Sequence, residues 1–337
     1  MINRLSKAEP ENFLMLDPDC VLDAMLDQGF QCDGRLLALN SYENRVYQLG
    51  IEDGPPLVVK FYRPRRWTDA QILEEHSFVQ DLFLSEVPVV PALLNDNGVG
   101  LRFFKGFRFA IFEKQGGRAP ELERVGTLER LGRYIGRIHA VGASSKYCHR
   151  PMIDRETLGS RALAFLLEND CIPSDLLPAY ESTARQMLEC VDTLYRQAGE
   201  VQVIRLHGDC HLGNVLWTES GSHPGPHFVD FDDSRMGPAI QDLWMLLSGN
   251  RVERQNQLCD LLAGYEDFAD FDPRQLQLIE PLRSLRLIHY SFWLAQRWGD
   301  PAFKLAFPWF NSQRYWQDRV LEMREQIAAM EEPSLQI

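Results

Sequence analysis

Apolar residues recur along this chain with two different periods, and the change of period divides it. Residues 17–29, DPDCVLDAMLDQG, set Val21, Leu22, Met25 and Leu26 on one face, with an aspartate at the start and Gly29 as a stop, which predicts a capped helix. The texture then turns extended. LLALNSYENRVYQLG (36–50) reads as two strands joined by the polar turn 40–44, and LVVKFYRP (57–64) as a third strand ended by Pro64. TDAQILEEHSFVQDLFLSEVP (68–88) is helical, with Thr68 or Asp69 as N-cap and Ile72, Glu75, Val79 and Leu82 along one side. A charged residue thereby joins an apolar stripe. Two further extended runs, LRFFKGF and RFAIFEK, close at the flexible QGG of 115–117.

Beyond that point the helical period dominates, first in LERVGTLERLGRYIGRIHAVG (122–142), where Leu128, Leu131, Ile135 and Ile138 share a face. Residues 150–200 predict further helices interrupted near Pro173 and Pro178, short β segments return in VQVIRLHGD and HFVDFDD, and the chain after Pro238 is mostly helical. The expectation is an α+β protein of two lobes: residues 1–114, a small sheet with one main helix inserted after its third strand, and residues 115–337, larger and mostly helical. At 337 residues the chain exceeds the size at which one core keeps growing. A cleft shared by two lobes is the expected place for a ligand.

Composition narrows the partners. Thirty-five basic against 48 acidic residues give a net charge of −13, which argues against a general nucleic-acid or anionic-membrane binder. The one basic cluster, Arg63, Arg65 and Arg66, offers a contact to an acidic substrate or ATP, with a solvated turn as the preferred reading. Seven scattered cysteines without a CxxC pair indicate neither a disulfide framework nor a zinc ribbon. With no secretory leader pattern and no run of about 18 apolar residues, a soluble cytoplasmic protein without a membrane partner is expected.

The densest chemistry lies in LHGDCHLGNVLW, residues 206–217. His207, Asp209, Cys210 and His211 are all ligand types for a transition metal, but no second histidine-rich cluster completes such a site. The spacing fits another chemistry. Asp209 ends an apolar strand, Asn214 follows five residues later, and HFVDFDD then presents Asp230 about sixteen residues on. Phosphoryl transfer requires a carboxylate near the acceptor hydroxyl, oxygen ligands for Mg2+ and a lysine on the phosphates, and kinase catalytic loops carry an Asp, an Asn five residues on and a separate Asp on the next hairpin.

HGDxHxGNxL followed by FVDFDD and QDLW resembles the aminoglycoside phosphotransferase and choline kinase branch of the protein-kinase-like superfamily. LNSYENRVYQL, VVKFYRPRRWTDAQILEEH, LHGDCHLGNVLW and GPAIQDLWMLL extend the resemblance across nearly the whole chain, to the bacterial stress response kinase A family of YihE/RdoA-like serine/threonine protein kinases. That resemblance implies a bilobal protein-kinase-like fold, ATP and Mg2+ as cofactors, and a protein substrate with a serine or threonine acceptor, autophosphorylation included. It makes Asp209 the catalytic aspartate and Asn214 and Asp230 the metal ligands, with His207 supporting the loop from inside and Asp242 tying a helix to it. His211 and Cys210 receive no role. Asp232 and Asp233 are either helpers of the metal or a solvated acidic turn. For Asp242 the plainer alternative is a helix N-cap.

In the first lobe Lys60 ends the LVVK strand, where an ammonium reaches the α and β phosphates while pairing with a helix glutamate. Glu75 is the natural partner, and Glu74, rotated by about 100° on the helix, is the fallback. The loop NSYEN replaces the glycine-rich segment of protein kinases; Ser41 in it offers a hydroxyl to ATP, although an Asn-Ser turn needs no ligand. Phe109 to Phe112 followed by Glu113 forms the expected hinge, whose main chain reads adenine. No activation segment separates Asp233 from GPAIQDLW, so control by loop phosphorylation is not expected. A monomer is expected. The same residues would also serve a small-molecule alcohol kinase or, with chemistry lost, a nucleotide-binding pseudokinase.

Overall fold

Strand alternation explains how the first part of the chain buries its residues. The computed structural model describes residue 10, residues 12–220 and residues 224–337. Helix α1 (Pro18–Asp27) starts on the Asp17 side chain, which accepts from the Cys20 N–H. Strands β1 (Cys32–Leu39), β2 (Arg45–Ile51) and β3 (Gly54–Phe61) follow, then α2 (Asp69–Leu84), β4 (Arg102–Phe104) and β5 (Phe107–Glu113). The five strands form one antiparallel sheet in the order β1-β2-β3-β5-β4. Leu57, Val59 and Phe61 pack with Phe109, Ile111 and the buried face of α1. The period of two therefore turns Lys60 to the opposite face, where Ala110, its cross-strand neighbour, packs with Ile72 of α2.

Thr68 caps α2 in a capping box with Gln71, and Ile72, Glu75, Phe78, Val79 and Leu82 form its buried side. Glu75 thus takes its place in the stripe by helical geometry. The β4–β5 hairpin turns through Lys105 and Gly106, both at positive φ (46° and 87°).

The second part begins with α3 (Thr127–Ala143), α4 (Arg161–Glu168), α5 (Leu177–Ala198) and the short β6 (Ile204–Arg205). A hairpin of β7 (Val215–Thr218) and β8 (Gly225–Phe228) follows, then β9 (Met236–Gly237), α6 (Ile240–Trp244), α7 (Arg251–Tyr265), α8 (Ile279–Gln296), α9 (Pro301–Ala306) and α10 (Gln313–Glu331). Helix α3 starts at Thr127, just ahead of Leu128 where its apolar period begins, and Gly126 at φ 80° stands before it as N-cap. At Gly132 a Cβ would come within 1.9 Å of the Leu261 carbonyl, so α3 and α7 meet backbone to backbone.

The chain divides into two compact units, one running to Pro120 and including Gly213–Asp232, the other made of Glu121–Leu212 and Asp233–Ile337. The segment 213–232 thus belongs with the first unit, whereas the expected boundary at 114/115 put it with the second. Hydrogen bonds explain this: Trp217 and Arg118 exchange N–H···O bonds of 2.7 and 3.1 Å, and the Phe228 N–H donates to the Pro88 carbonyl at 2.8 Å. The sheet with its inserted helix and the helical remainder are those expected from the sequence. Among the described residues no helix is long and apolar enough to cross a membrane.

Candidate active site

In the first unit the site is built around a buried lysine. Lys60 is 7% exposed, and its Nζ lies 3.0 Å from Asp230 Oδ1, 3.2 Å from Asp232 Oδ1 and 3.9 Å from Glu75 Oε1. Burial alone would pull the ammonium pKa down, but Asp230, Asp232 and Glu75 outweigh it and hold the group well above the ordinary lysine value. Lys60 is therefore a fixed cation. Of the two candidate glutamates it is Glu75, 4% exposed, that faces it.

Asn214 and Asp230 come together at the mouth of the β7–β8 hairpin. Val215 pairs with Phe228, and one step further the Val229 N–H donates to the Asn214 carbonyl at 3.0 Å. Asp230 follows at φ 62°, outside β8, with its side chain 53% exposed. A non-glycine residue in this left-handed region costs about 1–3 kcal/mol and persists where its surroundings over-determine it. Here the turn aims the carboxylate at Lys60 and leaves half of it open.

Two expectations from charge pattern are corrected. Asp232 is not part of a solvated acidic turn: its side chain is 4% exposed and ion-pairs with both Lys60 and Arg66. Arg63 and Arg66 are likewise drawn inward, 12% and 10% exposed, and Glu43 lies 3.0 Å from Arg63 and 3.8 Å from Arg66; only Arg65 stays exposed. The polarity that looked like a surface turn is an ion-pair network. Arg63 also donates from Nε to the Glu43 carbonyl (2.8 Å) and from its backbone N–H to Asn44 Oδ1 (3.0 Å), which clamps the β1–β2 loop in which Ser41 lies half-buried. Glu113 is exposed at the end of β5, opposite Leu57.

The second unit carries the other half of the predicted residues on a short loop after β6. After Arg205 the Leu206 N–H still donates to the Arg235 carbonyl at 2.9 Å, and beyond it the N–H groups find a different acceptor: His207 N donates to Asp242 Oδ2 at 2.8 Å and Gly208 N to Oδ1 at 2.9 Å. Asp242 is fully buried and also pairs with His139 Nε2 at 3.0 Å, whose Nδ1 meets the Tyr265 hydroxyl at 3.0 Å. It is no helix cap, since Ala239 holds that position. His207, buried inside the loop, lies with Nδ1 3.4 Å from the Asp209 N–H. His139 and Tyr265 are supports that no sequence motif announced.

Asp209 itself is 23% exposed, with Oδ1 2.8 Å from Arg286 Nη1 and Oδ2 3.4 Å from His211 Nε2. Burial raises its pKa, yet the His211 hydrogen bond and the Arg286 charge outweigh that and hold the carboxyl below its usual value. Cys210 is buried, and burial, with Asp242 and Asp209 nearby, pushes its thiol well up, the reverse of what a thiolate ligand needs. Among the described residues no group of three or more His, Cys, Asp or Glu is arranged to hold a metal. Asn214 and Asp230 offer hard oxygen donors, the kind that suits Mg2+ completed by phosphate and water.

Gly208 is required by this loop. It sits at φ 86°, and a Cβ would lie 2.1 Å from the Asp233 carbonyl oxygen. Gly208→Ala is expected to cost about 1–3 kcal/mol in backbone strain alone and to displace Asp209. A lowered thermal midpoint together with lost phosphotransfer, compared with the parent protein, is the result that checks it.

Among solved structures, an amicoumacin kinase in complex with AMP-PNP, Ca2+ and Ami has a similar fold, with a TM-score of 0.71 at 21% identity over 94% of each chain. The fold is thus the kinase-like one. The model of the phosphotransferase enzyme family (APH) matches residues 35–279. Stress response kinase A of Escherichia coli (strain K12) is 44% identical over 96% of this chain and 97% of its own length, and serine/threonine protein kinase RdoA of Salmonella typhimurium is 43% identical with the same coverage. The chain belongs to the phosphotransferase enzyme family and, within it, to the stress response kinase A group.

Proposed function

We propose that the protein is an ATP- and Mg2+-dependent serine/threonine protein kinase of the bacterial stress response, cytoplasmic and monomeric, that transfers the γ-phosphoryl group of ATP to protein hydroxyls, its own included. The observation that carries this reading is the meeting of Lys60 with Glu75 and Asp230 at 3.9 and 3.0 Å. In the reaction Lys60 holds the α and β phosphates of ATP while Glu75 keeps its ammonium in place. Asn214 and Asp230 would hold Mg2+, which when bound neutralises charge on the phosphate oxygens. Ser41 and its clamped loop contribute hydrogen bonds to ATP, and the main chain approaching Glu113 reads adenine. Asp209 orients the acceptor hydroxyl and receives its proton.

The protein acceptor is favoured by the relative described as a serine/threonine protein kinase. Labelled ATP supplied with casein, and with the protein alone, should give labelled protein; robust turnover of a panel of small alcohols with no labelled protein would overturn this choice. Asp230→Ala is expected to weaken ATP binding in the presence of Mg2+ and to slow transfer, each by about tenfold or more, the order of magnitude of losing one charge-assisted contact. Titration calorimetry with and without Mg2+ measures the first effect.

A further inference from the structure

The Asp209 carboxylate is gripped at both oxygens from different elements, by Arg286 of α8 at Oδ1 and by His211 of its own loop at Oδ2. We propose that Arg286 is a positioning residue for phosphoryl transfer, fixing the Asp209 carboxylate in the orientation that meets the acceptor hydroxyl. The proposal rests on the reading of Asp209 as the catalytic aspartate.

Helix α8 is a firm platform for this task. Leu282, Leu285 and Ile288 are buried on either side of Arg286, and Ser291 Oγ lies 2.8 Å from the Tyr315 hydroxyl of α10. The backbone at 286 is therefore fixed by the core while the guanidinium, 46% exposed, reaches out to the aspartate. Asp209 keeps 23% of its side chain exposed with both contacts in place. Oδ1 itself is buried and meets Arg286 as an ion pair, so the exposed part of the side chain lies away from that oxygen.

The energetics separate a positioning role from a structural one. An ion pair this exposed contributes little to folding. Orientation matters far more to the reaction, because a displacement of about 1 Å in a reacting group costs up to about a hundredfold in rate. With Arg286 gone, the hold on Oδ1 from α8 is lost and the carboxylate is freer to turn about its own axis. The loss should fall on the transfer step, leaving nucleotide binding and stability as they were.

The test compares the parent protein with Arg286→Gln, Arg286→Lys and Asp209→Asn, each as the full chain, using labelled ATP with Mg2+ and casein. Arg286→Gln is expected to lower kcat by about 10–100-fold at unchanged KM for ATP and unchanged thermal midpoint, with Arg286→Lys recovering part of the loss. A parental kcat in Arg286→Gln overturns the proposal. So does a loss matched by a fall in the thermal midpoint, or a lysine variant no better than glutamine. If Asp209→Asn is inactive while Arg286→Gln is normal, the inference about Arg286 alone fails; if Asp209→Asn is itself fully active, the reading of Asp209 falls with it.

Discussion

Asp209→Asn should lower kcat for phosphotransfer by about 10²–10⁴-fold, the usual contribution of a positioned general base, while leaving ATP affinity within a few-fold of the parent. The amide matches the carboxylate in shape but has no basic oxygen to receive the hydroxyl proton. The loop should keep its course, because its backbone N–H groups at residues 207 and 208 are held by Asp242 and not by Asp209. Arg286 and His211 would face one oxygen and one NH2 group in place of two oxygens, a small cost at a partly exposed position. On the reading proposed above, ATP affinity rests on Lys60 and its carboxylates, which belong to the other compact unit. Single-turnover transfer from labelled ATP and calorimetric titration with ATP make the comparison. Transfer at the parental rate would remove Asp209 from the chemistry.

The parts of this molecule legible in the sequence are those in which short-range spacing carries the information. Alternation along LVVKFY turns Lys60 away from the face of Val59 and Phe61, and the apolar stripe of α2 carries Glu75 to meet it. The order of Asp209, Asn214 and Asp230 needed no structure to be noticed. What stayed hidden depends on contacts between distant positions. Arg66 and Asp232 are 166 residues apart, and each looked locally like a charge on a solvated turn. Neither has a neighbour in sequence that reveals its burial; the pairing itself is what allows both charges to leave water. Arg286 lies in a helix whose periodicity accounts for it fully, so nothing in SLRLIHY points to Asp209. His139 and Asp242 are 103 residues apart and meet only because α3 and α6 are placed to bring them together. Of the strand expected through VQVIRLHGD two residues remain, and at its C-terminal end a distant carboxylate takes the N–H groups of residues 207 and 208.

That carboxylate should prove the most costly single side chain to remove. Asp242→Ala leaves two buried backbone N–H groups and His139 without their acceptor. An orphaned buried donor costs about 1–3 kcal/mol, and with two backbone N–H groups left in that state the expected loss lies at or above the upper end of that range. Activity should fall along with stability, since residues 207 and 208 lead directly into Asp209. Asp242→Asn should be little better, because an amide keeps one acceptor oxygen but turns an NH2 group towards a second N–H. Urea unfolding followed by tryptophan fluorescence is a suitable measure, as Trp244 stands two residues further along α6 and donates to Gln241 Oε1 at 3.1 Å. A midpoint equal to that of the parent would mean that the loop holds its shape without this anchor. Asp242 would then be a residue of the reaction rather than of the fold.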